Sequence, residues 1–156
     1  MMKTILRFIQ FYYRAAHWPE YLAPAVNLGL RLFLANVFFK SGLTKIQSWD
    51  STLYLFSDVY QVPLLKPEWA AYLATGAELG LPVLLVAGLF GRFAATGLFI
   101  LNLVAVISYY TELSEAGINQ HLYWGMLFCV LLVSRSKWSV DQWLETRLQR
   151  PRWIGR

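Results

Sequence analysis

The stretch WAAYLATGAELGLPVLLVAGLFGRFAATGLFILNLVAVISYY, residues 69–110, holds two formal charges, Glu78 and Arg92. An apolar run of that length is long enough to cross about 30 Å of hydrocarbon twice. Arg92 lies at its middle, in Gly88-Leu89-Phe90-Gly91-Arg92, where paired glycines mark a tight reversal. The stretch therefore predicts two antiparallel membrane spans, about 69–89 and 93–110, joined by that turn.

Working outward, residues 23–43 predict a preceding span, interrupted by Arg31 and Lys40, and residues 121–133, with Ile118 as an alternative start, a fourth and shortest one. Composition agrees: of 156 residues 57% are apolar and 15% charged, where soluble domains carry about 45–50% and about 25%. The expected fold is all-α, an integral membrane four-helix bundle, with no room left for a separate soluble catalytic domain.

Two amphipathic interfacial helices are expected to flank it. In residues 1–18, Lys3, Arg7, Gln10 and Arg14 share one stripe of an otherwise apolar helix. The same basic residues interrupt any secretory h-region, so the segment is expected to be retained. His17-Trp18-Pro19-Glu20 breaks it before the first span. Residues 139–150 open with Ser139 and Gln142 at capping spacing and continue with Val140, Trp143, Leu144 and Leu148 on one face until Pro151. The domain layout is thus 1–18, 23–134 and 139–150. Between the first two spans, Trp49, Leu53, Phe56 and Tyr60 recur at helical spacing, which predicts a short amphipathic lid.

Basic residues crowd the two termini and the 88–92 turn, whereas the other ends of the spans carry Asp50, Asp58, Glu68, Glu112 and Glu115 with Lys45 and Lys66. The positive-inside rule places both termini in the cytoplasm, in a bacterium within the inner membrane. The net charge of +5 lies in these flanks rather than in a stripe with base-stacking aromatics, which argues against a nucleic-acid role. The single cysteine, Cys129, excludes an intrachain disulfide or a cysteine-built metal cage; its apolar surroundings predict core packing. His17 and His121 fall on opposite sides of the membrane, so no metal site is expected from this chain.

Comparing depths at ~1.5 Å per residue places Asn36, Glu78 and Asn102 near the midplane, with Lys40 one turn nearer the lid. Tyr109 and His121 fall at that same end. A polar cleft of Asn36, Lys40, Glu78, Asn102, Tyr109 and His121 beneath the lid follows, with Lys40 and Glu78 as its ion pair. The same set can equally act as polar glue that fixes helix register. Arg31 is near enough to the cytoplasmic end to snorkel, and Arg92 can cap its turn or meet lipid phosphate.

With these residues in view, the chain resembles the DoxX family of small bacterial four-helix inner-membrane proteins over about residues 28–143. The likeness rests on Leu30-Arg31-Leu32, on Val37 to Lys45 with its Gly42-Leu43-Thr44-Lys45, on Ala77-Glu78-Leu79-Gly80, on Gly88 to Arg92 and on Trp138-Ser139-Val140-Asp141. Carried over position by position, the family's motif residues are Arg31, Gly42, Lys45, Glu78 and Arg92. Ser134-Arg135-Ser136-Lys137 departs from the glycine-rich approach that often precedes the last element.

The resemblance implies a membrane subunit of a quinone-linked or other redox complex, with quinone as the ligand class and no cofactor bound by this chain alone. Other relatives imply a non-catalytic membrane partner that docks soluble enzymes or a small secreted substrate such as a modified copper-binding peptide. A transporter would need oligomerisation to widen its path. The residues leave open whether the chain is itself catalytic; the expected partners are the lipid bilayer and other subunits or further copies of the chain.

Overall fold

Leu34 and Phe38, one turn apart, set the buried stripe of the first helix, and Arg31, Gly42 and Lys45 prolong it in both directions. In the computed structural model this helix, α1 (Trp18–Gln47), runs well beyond both ends of the expected span. The structure describes residues 18–60, 62, 64–110, 113–134 and 138–148; the expected interfacial segment before Trp18 and residues 149–150 of the C-terminal helix lie outside them.

After α1 the chain turns into a short helix, α2 (Trp49–Tyr54), continued by a π-helical segment over Leu55–Val59. The Thr52 hydroxyl donates to the Lys45 carbonyl at 3.0 Å and fixes the corner. Phe56 is buried against Ala70 and Ala71, whose small side chains let the segment lie close over the next helix. That helix, α3 (Pro67–Ala87), begins with proline at its first position, where no N–H is required. It ends at Gly88 in the left-handed conformation, φ 66°, with Gly88 N–H donating to Leu85 O and Leu89 N–H to Leu84 O. These two bonds form a Schellman cap, which satisfies carbonyls the helix would leave open.

The turn leads into α4 (Gly91–Tyr109). Its first amides are capped from fifty residues away: the Asp141 carboxylate accepts from Phe90 N at 2.9 Å and Gly91 N at 2.8 Å. The next helix, α5 (Glu115–Val133), starts at a cap in which Ser114 Oγ accepts from Gly117 N. It is therefore more than a turn longer than the 121–133 span read from hydropathy, because its first turns are polar. The last described helix, α6 (Val140–Leu148), buries none of its residues.

Four of these helices are long and apolar enough to cross a membrane, and the described residues contain no strand. The molecule is an all-α membrane bundle. α1 packs chiefly on α3, α3 on α4 and α4 on α5, and α1 meets α5 to close the ring. The core joins Leu34, Phe38, Leu85, Leu98, Phe128 and Leu131 with Ala94 and Ala95. Phe38 sets its ring edge-on to Phe128 and Trp124, with centroids 5.5 and 5.9 Å away. Much of the outer surface is apolar, as lipid requires; Ile100, Ile107, Leu122 and Val130 are each at least half exposed. Cys129 is also exposed, which corrects its expected place in the core: it falls one residue beyond buried Phe128, on the outer face.

Candidate functional site

The segment over 49–60 covers one end of the bundle and roofs a cavity of about 310 Å³. Its walls are largely apolar, with Val37, Phe38, Leu101, Val104 and Trp124, and its polar lining is Ser41, Lys45, Glu78, Ser108, Tyr109 and His121. Tyr60, at the end of the π-helical segment, closes the roof by an edge-on contact with Tyr109, centroids 5.2 Å apart. Burial, with smaller effects from Tyr109 and Glu78, pushes the Tyr60 phenol above its ordinary value, so its hydroxyl stays protonated.

Glu78 finds its cation in Lys45: Nζ lies 2.6 Å from Oε2 and 2.9 Å from Oε1, and also donates to Ser41 Oγ at 2.9 Å. The expected partner, Lys40, is exposed on the outer face of α1, as is Asn36. Depth matched these two to Glu78, but each sits two residues from a buried one, Leu34 or Phe38, and so points about 200° away around the helix. Lys45 is deeper in reach than its backbone position implies, because helical side chains lean towards the N-terminus. Its ammonium thus arrives one turn back, level with Ser41.

Gly42 makes this pairing possible. A Cβ there would lie 2.9 Å from two carbons of Leu79 and 3.1 Å from Glu78 Cβ, so only glycine lets α1 and α3 approach at the ion pair. Pro82, one turn after Glu78, has no N–H to offer the Glu78 carbonyl, which loosens the helix ladder at the same level.

Asn102 and His121 form a second, reciprocal pair. Asn102 Nδ2 donates to the His121 carbonyl at 2.9 Å, and Asn102 Oδ1 lies 2.7 Å from His121 Nδ1. With the amide nitrogen committed, the oxygen is the acceptor; the neutral ring therefore carries its proton on Nδ1 and a lone pair on Nε2. The ring stands edge-on to Trp124 at 4.9 Å. Beside it, Ser108 is buried and its hydroxyl has no hydrogen-bond partner. Of the six cleft residues read from the sequence, the structure brings Glu78, Tyr109 and His121 to the cavity, places Asn102 behind His121, and leaves Asn36 and Lys40 outside. Ser41 and Ser108 were missed, and Tyr60, read as part of the lid, also lines the cavity. Ser41 and Lys45 continue the stripe of Leu34 and Phe38, but it is the structure that shows this stripe to be the buried one.

At the other end of the bundle Arg31 does not snorkel. It is 3% exposed and donates to Trp138 O at 2.5 Å and, more weakly, to Leu85 O at 3.5 Å. Asp141, besides capping α4, donates its backbone N–H to Gly88 O at 3.0 Å. Arg31, the 88–91 turn and the Trp138-Ser139-Val140-Asp141 element thus form one clasp that fastens α6 to the bundle. Arg92 is exposed beside it, and the turn is capped by Asp141 instead.

Known proteins bear on this architecture. The chain is 37% identical over 93 residues to a Solidesulfovibrio magneticus protein named NADH-quinone oxidoreductase subunit N 2, a match covering 60% of this chain and 18% of that one. It is likewise 37% identical over 94 residues to an uncharacterized Haemophilus influenzae protein, covering 58% of each. The chain spans less than two thirds of the length of either relative. No solved structure matches it. The DoxX family profile matches residues 26–111, which take in the Arg31, Gly42, Lys45, Glu78 and Arg92 positions together with Asn102 and Tyr109. Four apolar helices and this match over more than half its length make the chain a multi-pass bacterial membrane protein of the DoxX family.

Proposed function

We propose that this chain is the quinone-binding membrane subunit of a redox complex, with the aromatic head group seated in the cavity under the lid. The observation that carries this reading is the cavity itself, where the free Nε2 of His121, the unpaired Ser108 hydroxyl and the Lys45–Glu78 pair share a mostly apolar volume. At about 310 Å³ it is at the small end of ligand pockets, which run about 300–1,000 Å³. A substituted ring fits that volume; a dinucleotide does not. The name of the Solidesulfovibrio relative points the same way.

The bound quinol supplies two electrons and two protons on oxidation. His121 Nε2 is an acceptor for one of those protons, with Asn102 holding the ring in the required tautomer. Glu78 is the second acceptor, Lys45 holding its carboxylate in place. Ser108 and Tyr60 offer hydroxyls to the ring oxygens. The electrons pass to a partner subunit, since one cysteine provides no dithiol.

Decylubiquinone titrated into the purified protein in nanodiscs is expected to quench the Trp124 fluorescence saturably, and His121→Gln to weaken that binding about tenfold, the loss of about 1.4 kcal/mol. Trp124→Phe identifies the reporting residue. Quenching that rises linearly with bilayer quinone, unchanged by His121→Gln, would leave partition alone and favour the docking-partner reading.

The same proposal places the clasp in the cytoplasm and the lid on the opposite, periplasmic side, because the basic residues gather at the clasp end. Reporter fusions at Asp58 and Glu115 are expected on one side and a fusion after Arg150 on the other; all three on one side would refute this.

A further inference from the structure

Between the start of α1, the end of α5, the 88–91 turn and α6 lies a second cavity of about 460 Å³, at the opposite end from the lid. We propose that it binds phosphoethanolamine as the head group of a membrane phospholipid.

Its position comes first. α4 begins and α5 ends at its walls, so the cavity sits at the edge of the apolar spans, at the level where lipid head groups lie. Phe90 and Phe93 line it and are each 66% exposed, offering acyl chains an apolar approach.

Charge and hydrogen bonding then select the head group. Two guanidiniums and two carboxylates line the cavity, Arg31, Arg92, Asp141 and Glu145. Arg31 is directed at the Leu85 and Trp138 carbonyls, and both Asp141 oxygens accept backbone amides. Arg92, exposed, presents its guanidinium as the cation for a phosphate. Asn27 supplies the selective feature. It is 5% exposed, its Nδ2 donates to Ser134 Oγ at 2.6 Å, and its Oδ1 has no hydrogen-bond partner.

A buried carbonyl oxygen in a cavity wall calls for a donor from the cavity. A lipid phosphodiester brings only acceptors at neutral pH, whereas an ammonium brings three donors, one of which the Asn27 oxygen can accept. A zwitterion brings a phosphate for Arg92 and an ammonium for the Asn27 carbonyl oxygen and leaves the balance of two guanidiniums and two carboxylates unchanged; a purely anionic head group adds net negative charge to it.

The test uses the full-length protein, delipidated in detergent, with thermal stabilisation and native mass spectrometry as readouts. Dioleoyl phosphatidylethanolamine is expected to be retained at least fivefold more than dioleoyl phosphatidylglycerol. Arg92→Gln, an exposed position, is expected to lower that retention about tenfold without lowering the melting temperature of the lipid-free protein. Asn27→Asp keeps the acceptor, adds charge and is expected to tighten it. Equal retention of the two lipids, or no effect of Arg92→Gln, overturns the proposal. Glycerophosphoethanolamine, which lacks the acyl chains, is expected not to stabilise the protein at the same concentration; if it does, the membrane is not the source of the ligand.

Discussion

Glu78→Ala is expected to destabilise the solubilised protein by about 3–5 kcal/mol, the usual cost of removing one partner from a buried ion pair. The carboxylate is nearly enclosed, and its loss strands the Lys45 ammonium between α1 and α3 with Ser41 as its remaining side-chain partner. The double variant Glu78→Ala with Lys45→Met is expected to regain much of that loss, because an apolar chain of similar length fills the same channel without a charge to desolvate. Lys40→Met, on the outer face, is expected to give no such rescue. Thermal or denaturant unfolding of the wild type, Glu78→Ala, the two single lysine variants and their two combinations with Glu78→Ala forms two double-mutant cycles. A coupling of about 2 kcal/mol for Lys45 and none for Lys40 identifies the pair; purely additive losses for Lys45 would remove the ion pair from the centre of the site.

That contrast between two lysines five residues apart marks the boundary of what the amino-acid order conveys. Hydropathy is a sum over a window, so four spans and the 88–92 reversal were legible, as was the spacing of Trp49, Leu53, Phe56 and Tyr60 over the lid. Polar depth was legible too, which is why Glu78, Tyr109 and His121 were found. Rotation about the helix axis was not. In a membrane bundle the outer face is as apolar as the inner one, so α1 gives little sign of which side holds its neighbours. Asn36 and Lys40 then look as interior as Ser41 and Lys45. Gly42 breaks that symmetry, since a glycine at a close helix approach fixes the contact line beside it. Cys129 was misplaced for the same reason. Long-range polar contacts made by backbone groups, such as Arg31 with Trp138 O or Asp141 with the Phe90 and Gly91 amides, leave no periodic trace at all.

The two ends of the bundle carry different kinds of work. Under the lid, polar side chains face a cavity, and Ser108 retains an unsatisfied hydroxyl, which is a poor way to build stability and a reasonable way to receive a ligand. At the clasp, Arg31 and Asp141 are turned on backbone partners, which stiffens the end where α1, α3, α4 and α6 meet, and it is the Asn27 oxygen beside them that lacks a partner.

Gly88→Ala should therefore act on the clasp, with an expected loss of about 2–4 kcal/mol from the left-handed backbone and the overpacking together. The backbone term is the smaller part, since φ at Gly88 is 66° and alanine enters that region at modest cost. The space term is larger: a Cβ would lie 2.5 Å from Arg31 Nη1, 2.6 Å from Ser139 Cβ and 2.9 Å from Ser139 Cα. The guanidinium is held by the Leu85 and Trp138 carbonyls, and Ser139 cannot retreat without breaking the Asp141 N–H bond to Gly88 O. The least costly relief is for α6 to lift away, which would also withdraw the Asp141 cap from α4. Trypsin cleavage after Arg147 is thus expected to accelerate together with the fall in melting temperature. Gly80→Ala is the control of opposite sign: its Cβ meets open space within a regular helix, so alanine is expected to be neutral or to stabilise by about 0.5–1 kcal/mol. If the two alanines behave alike, the clasp is not what fastens α6 to the bundle.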